Sequence, residues 1–564
     1  MLLVNPRVNS GILDDWSIVR SAQRLAATGH IHYNGWEAPI LGWQLYAGAL
    51  FTRLFGFSFT VMRSANMLEA LLTVLLAQRL FVRTGIREGN ASFGALTLAL
   101  CPVFFTSSLL FMTDIPGTLA VLFCLYSCVR ALQARTDAAA AGWIITAALT
   151  NAVLGTTRQT AWLGLLTMVP SALWMLRRRR AVVIAGGIAC LCGFAFMVAV
   201  LRWFGHQPYV LPEQMLYAGF PWKRAIAPAA RTLSRAGLDL CLLTSPLALA
   251  LLPRLPGGAH AWRGAAGVLT AYVVLLLLLY GRAPHHDALA PFLLTPGGVQ
   301  PPETMVLSFP TPILGPSPGH MTLAFRLLLT GIDLLSITLI AIAIRTPKLP
   351  VPSGRSITPQ SLVLLTVPYS LAYLGLLIPR GVLFFTVERY LVFLLPVAVL
   401  WLLHLYQRTT VRNIGLFGLV PLCAFGLYGT FLLHDIFATY RANLEAIDEV
   451  RAVGIPREHI NGGLEYNFMT QVTLRDYTPA NGIRMPDGSL LPKPVAPPPL
   501  PCAQPAIEYM PVVQPEFAIA YPSAGCLQLP QFAPVHFTTW LAPHHRTAVV
   551  VRYGVSGPSG SETR

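Results

Sequence analysis

Apolar positions along this chain fall into long uninterrupted runs separated by short polar loops, a spacing set by a bilayer and not by a soluble core. The runs predict about twelve spans, near 62–82, 91–111, 114–132, 142–157, 160–176, 181–203, 237–253, 264–280, 321–344, 360–379, 389–407 and 413–433. Three regions follow: 1–61, an outer first loop with interfacial helices; 62–433, the membrane domain; and 434–564, a polar tail. The fold class expected is an all-α polytopic membrane bundle with a small α/β tail. Within the tail, "YRANLEAIDEVRAVG" reads as a helix with Leu444, Ile447 and Val450/Arg451 at helical spacing. "EFAIAYPS", "VHFTTWLA" and "RTAVVVRY" read as strands, and the Pro-rich "RMPDGSLLPKPVAPPPLPCAQP" between them as irregular.

Basic residues sort the loops. Arg83/Arg87, Arg130/Arg135, Arg177 to Arg180, Arg254/Arg263, Arg345/Lys348/Arg355 and Arg408/Arg412 occupy every second connection. The excess of Lys and Arg in cytoplasmic loops makes those connections cytoplasmic and the others, with the tail, external. The first 61 residues then lie outside as well, which calls for a first span upstream. The alternative, that "WQLYAGALFTRLFGFSFTV" (43–61) itself spans, would set Arg53 in mid-bilayer at a cost of roughly 2.5–3.5 kcal/mol. A helix lying along the outer surface suits that stretch better. The outer connections 204–236 and 281–320 are longer than simple linkers need to be.

Composition agrees. Of 564 residues, 54% are hydrophobic and 11% charged, against ~25% charged in soluble domains. The net charge of +16 sits in short loop clusters, which excludes the continuous basic stripe of a nucleic-acid binder. Seven of the nine cysteines lie in apolar runs; Cys502 and Cys526 lie in the tail, where they pair if it faces an oxidising space and otherwise remain thiols. No Cys/His spacing suits a structural metal, and no cofactor is indicated.

Candidate chemistry gathers on the outer side. "SGILDDW" carries an adjacent acid pair, Asp14 and Asp15, with Asp14 at the N-cap of a helix that Gly29 would end. Asp114, in "FMTDIPG", opens a span from the same side. Arg158, in "GTTRQ", interrupts an apolar stretch, and Glu388-Arg389-Tyr390 starts a late span. Charges within a membrane are costly and face a polar cavity or a partner, and a guanidinium fork suits phosphate. Trp16, Glu37, His206, Tyr209, Glu388 and Tyr390 are the candidate substrate contacts; Glu213, Lys223 and Arg224 have weaker support, as does a metal at His285, His286 and Asp287. Carboxylates able to take a proton, beside arginines able to stabilise a leaving phosphate, suit transfer from a lipid-linked phosphate donor.

At these residues the sequence resembles the polytopic membrane glycosyltransferases of the C-type fold, a group that includes the protein O-mannosyltransferases, the aminoarabinose lipid A transferases and the RgtA/B/C/D-like transferases. The carriers are "LDDW", "LFGFSFTVMR", "FMTDIPG", "GTTRQ" and "ERYLVFLLP", in that order across residues 10 to about 433. The resemblance implies thirteen spans, Asp14 as catalytic base, Asp15 and Asp114 orienting base or acceptor, and Arg158 and Arg389 on the donor phosphate. Where the group usually has Glu as second acid, this chain has Asp15, and the tail has no counterpart. The expected activity is inverting transfer of a sugar from a polyprenyl-phosphate donor to a lipid, glycan or protein acceptor outside the cytoplasm, in the bacterial inner membrane. A transporter or lipid flippase is the rival, distinguished by midplane charges and repeated half-helices.

Overall fold

The computed structural model describes residues 3–211, 222–254, 259–280, 312–315, 323–346, 357–383, 388–541 and 544–557. Glu213, the side chains of Lys223 and Arg224, and His285, His286 and Asp287 fall outside these residues.

Each apolar run has become helix. Helix α1 (Asp15–Thr28) and α2 (Gly42–Phe55) precede α3 (Phe59–Arg83), the bent pair α4 (Glu88–Leu100) and α5 (Pro102–Ser108), α6 (Asp114–Gln133), α7 (Asp137–Leu154), α8 (Val169–Met175) and α9 (Arg180–Gly205). Then come α10 (Trp222–Leu243), α11 (Ser245–Leu249), α12 (Ala259–Tyr280), α13 (Leu323–Arg345), α14 (Pro359–Leu383), α15 (Leu395–Thr409) and α16 (Leu416–Ala452). Among the described residues seven helices are long and apolar enough to cross a membrane, eight if α4 and α5, bent by 66°, form one span. Of the other runs expected to span, 160–176, 237–253 and 389–407 are broken, and the apolar part of α12, Trp262–Leu278, is short. Across 155–168, where run 142–157 meets 160–176, the helical ladder is interrupted by 3-10 turns at Gly155–Thr157 and Gln159–Trp162 and a π-helical turn at Gly164–Met168. The side chain of Asn151 replaces the lost bonds, donating to the carbonyls of Ala120 and Ala161 and accepting from the Leu165 amide. Residues 389–407 begin as a 3-10 turn (Glu388–Phe393) before α15, whose second residue is Pro396.

The outward faces are apolar: Leu68, Leu71, Leu72 and Leu75 on α3 and Ile184, Ile188, Leu191 and Phe194 on α9 are all exposed, as lipid-facing residues are. Helix α2 buries Gln44, Leu45, Gly48 and Ala49 yet exposes Tyr46, Leu50, Leu54 and Phe55. At 14 residues it reaches only about 21 Å, short of the roughly 30 Å hydrocarbon core.

Helix α16 runs unbroken for 37 residues, through the boundary expected at 433/434, so the last span and the first tail helix are one rod. Its distal half packs Ala442, Ala446, Ile447 and Val450 against a sheet core of Ile460, Ile519, Tyr521 and Val550. That sheet comprises β1 (Ile460–Asn461), β4 (Phe517–Ala520), β5 (Cys526–Gln528), β6 (Val535–Thr539) and β7 (His544–Ser556); β2 (Ile483–Arg484) and β3 (Leu490–Leu491) form a separate hairpin at the head of the Pro-rich stretch. β1 pairs parallel with β4, and β7 pairs antiparallel with β4, β5 and β6. The three strands expected from the sequence are β4, β6 and β7. Cys502 and Cys526 are joined in a disulfide. Helix α17 (Leu464–Arg475) projects from this tail onto α1.

Candidate functional site

The loop that delivers the acid pair is fixed from beneath. Arg63, on α3 and 1% exposed, donates to the carbonyls of Val8 and Ser10, each at 2.6 Å. Its guanidinium also lies 3.8 Å from Asp15. Asp15 is fully buried and accepts the Ile12 amide at 2.6 Å, closing the turn that starts α1. Gly11 is required there, since a Cβ would stand 2.5 Å from that of Trp16. Burial pushes the Asp15 carboxyl up to about 6, with Arg63 opposing.

Asp14 points the other way. Its side chain is 38% exposed, and it makes no cap bond to α1, contrary to the expected capping role. One oxygen accepts the Trp36 indole N–H at 3.0 Å and the other the Arg389 guanidinium at 3.1 Å. Beside it, Asp114, 1% exposed at the start of α6, holds Arg158 at 2.9 Å. Arg158 can reach it because position 158 has extended backbone (φ −153°) between two 3-10 turns. The Arg158 guanidinium lies over the rings of Tyr390, at 4.7 Å, and Phe393, at 5.5 Å. Arg389 and Arg380 flank the same Tyr390 ring at 5.7 and 5.4 Å, within the range of cation–π attraction. The fold thus joins Asp14, Asp114, Arg158, Arg389 and Tyr390, drawn from four separated stretches, into one cluster. Arg389 Nε is buried and has no hydrogen-bond partner among the described residues.

The other candidates take different places. Trp16 is buried and stacked on Phe468 of α17 at 4.8 Å. Glu37, also buried, lies beside Ser17 and Asn34; desolvation, reinforced by the charge of Asp14, pushes its carboxyl up to about 7. Glu388 is buried within electrostatic reach of Asp239 and Arg235 of α10, a different set of neighbours from those of Arg389. His206 bonds back to the Arg202 carbonyl. Tyr209 stacks on Tyr477 at 5.0 Å and donates its amide to the Arg484 carbonyl, so it belongs to the seam with the tail. Among the described residues no group of His, Cys, Asp and Glu could hold a metal ion.

Sequence reasoning missed Trp36, the indole partner of Asp14, and three more distant contributors. Arg380 follows Pro379 near the end of α14, a charge in an apolar run and so detectable in principle. Phe468 and Glu465 come from the tail and carry no such signal. Phe468 packs on Trp36 at 4.5 Å, behind the indole that holds Asp14. Glu465 accepts the Tyr440 hydroxyl at 2.7 Å and the Leu13 amide at 3.3 Å. Burial pushes Glu465 up to about 7, with Tyr440 the largest opposing influence.

Residues 37–203 match the family model described as dolichyl-phosphate-mannose-protein mannosyltransferase. No curated protein matches the chain significantly. Crystal structures of ArnT from Cupriavidus metallidurans align with it end to end: the form bound to undecaprenyl phosphate at 13% identity and TM-score 0.35, the apo form at 12% and 0.36. Each alignment covers 99% of this chain and 97% of that one. The family match takes in Asp114 and Arg158, whereas Asp14, Asp15 and Arg389 lie outside it. The resemblance to polytopic C-type membrane glycosyltransferases read from the sequence is borne out by this family match.

Proposed function

We propose that the chain transfers a sugar from a polyprenyl-phosphate donor to a lipid, glycan or protein acceptor on the outer side of the bacterial inner membrane, with inversion at the anomeric carbon. The observation that carries this reading is the pairing of Asp14 with Arg389 beside Asp114 and Arg158, with Asp14 the accessible acid. A donor phosphate would take over Arg389, whose Nε has donor capacity to spare, and leave Asp14 held by Trp36. The acceptor hydroxyl or amine attacks the anomeric carbon as its proton passes to Asp14. The bond from that carbon to the phosphate oxygen breaks on the opposite face, and the electron pair leaves with the phosphate, stabilised by Arg158 and Arg389. Asp114 keeps Arg158 aimed, and Asp15, fixed on Arg63, sets the turn that carries Asp14. The tail disulfide favours an oxidising compartment for this face.

The test is Asp14→Asn, whose amide oxygen can still accept the Trp36 N–H. Membranes supplied with labelled polyprenyl-phosphate sugars should show transfer reduced by about 10²–10⁴-fold, with donor still bound. Transfer at the parent rate would remove the base and, with it, the reaction as written.

A further inference from the structure

We propose that the arginine-lined cavity at the far end of the bundle from the carboxylates binds the phosphate of an anionic lipid. Helix α6 carries Asp114 at one end and Arg130 sixteen positions on, about 24 Å along its axis. Helix α3 likewise runs from Arg63, under the acid loop, to Arg79 and Arg83. The two ends are separated by most of a hydrocarbon core. At the second end lies a cavity of about 1510 Å³ lined by Arg79, Arg83, Arg87, Arg130 and Arg135, with no carboxylate among the described residues of its wall.

Two of these arginines are committed to the fold. Arg87 donates to the carbonyls of Thr410 and Arg412, and Arg130 lies over Trp143 at 4.7 Å while donating to the Tyr126 hydroxyl. Arg79, Arg83 and Arg135 have no carboxylate partner among the described residues. The nearby Asp137 is engaged by Arg179 at 3.6 Å. The remainder of the wall includes Val82, Met175 and Leu176. The wall also carries amide and hydroxyl groups from Gln133, Thr136, Ser361 and Gln407. Guanidiniums without a carboxylate partner among the described residues, beside these donors and the apolar side chains, at the end of membrane-length helices, match a phosphate headgroup with the start of its chains. The retention of Lys and Arg in cytoplasmic loops explains why these residues are basic. It does not make them converge on one cavity, nor leave the described residues of its wall without an acid. Both a bulk phospholipid and a polyprenyl phosphate present this chemistry. The site is independent of the transferase reading above.

Native mass spectrometry of the full chain in detergent tests it, with phosphatidylglycerol, undecaprenyl phosphate, phosphatidylcholine or inorganic phosphate added in turn. The parent should retain phosphatidylglycerol or undecaprenyl phosphate in preference to phosphatidylcholine, and whichever binds tighter names the source. Arg83→Gln with Arg135→Gln should weaken that binding by on the order of 25-fold, about fivefold for each charge. The matched pair Arg177→Gln with Arg178→Gln, exposed and outside the cavity, should leave it within about twofold of the parent. Arg83→Lys with Arg135→Lys, which keeps the charge, should stay within a few-fold and covers the event that the glutamine pair fails to fold. Equal retention of phosphatidylcholine, equal loss in the matched pair, or inorganic phosphate binding as tightly as the lipids would overturn the assignment.

Discussion

Asp14 and Asp15 are neighbours in sequence and opposites in setting. Asp15 is sealed against Arg63, whereas Asp14 is 38% exposed between Trp36 and Arg389. The resemblance implied different roles for the two, but their opposite settings were not legible in the residues themselves, because the burial of Asp15 depends on Arg63, buried within α3. Three buried acids here, Asp15, Glu37 and Glu465, are pushed up to about 6, 7 and 7. A raised folded-state value means that the native chain holds more protons than the unfolded one, between the ordinary carboxylate range and the raised value. Over that window stability falls as pH rises, and it levels off above about 7. The melting temperature of the detergent-solubilised protein should therefore drop by a few °C from pH 5 to pH 7.5. Glu465→Gln, neutral throughout and still able to accept from Tyr440, should flatten the part of the curve between pH 6 and 7. An unaltered slope in that variant would mean that Glu465 is not a source of the effect.

Helices and strands were legible in proportion to how local their causes are. The positions of α3, α6, α9, α13 and α14, and of β4, β6 and β7, follow from periodicity alone. The turn at 158–159 was placed by the sequence, but the distorted helix around it and the 3-10 start at 388–393 were not. Asn151 and the Arg158–Asp114 pair hold the first, and the Tyr369 and Tyr373 hydroxyls, donating to the Phe393 and Tyr390 carbonyls, hold the second. The bracing of the site by the tail was hidden for the same reason. Helix α17 packs Phe468 against both Trp16 and Trp36, whose own rings lie 5.5 Å apart, and Asp476 at its end pairs with Arg20 and Arg24 of α1. If that stack holds the indole on Asp14, loosening it should disturb the base and spare the donor site. Phe468→Ala is expected to lower kcat by about 10–100-fold, as small misplacements of a catalytic group do, with the donor KM within about twofold. Phe468→Leu should recover most of the loss. A proportional rise in donor KM, or equal damage from the leucine variant, would show that α17 only supports the fold.

At the scale of the whole molecule two chemically opposite ends face each other along the same helices. One gathers Asp14, Asp114, Arg158 and Arg389 beside a disulfide-bonded tail; the other gathers arginines with no lining carboxylate among the described residues. Alternating basic loops already implied two sides, but the link of the tail to the acid end rests on the packing of α16 and α17, with Tyr209 at the seam. A bilayer between the ends makes a definite expectation about access. Single cysteines at Ala27 and Lys493, both exposed on the tail side, should react with a membrane-impermeant maleimide in intact cells. Cysteines at Glu88 and Ala138, exposed at the arginine end, should react only once the membrane is opened. Exposed native Cys192 and Cys423 lie on apolar spans, so the parent chain sets the background. Labelling of Ala27→Cys and Glu88→Cys from the same side would place both ends in one compartment. In that event the carboxylates would not share an outer face with the tail, and the lipid-phosphate chemistry proposed for them would lose its geometry.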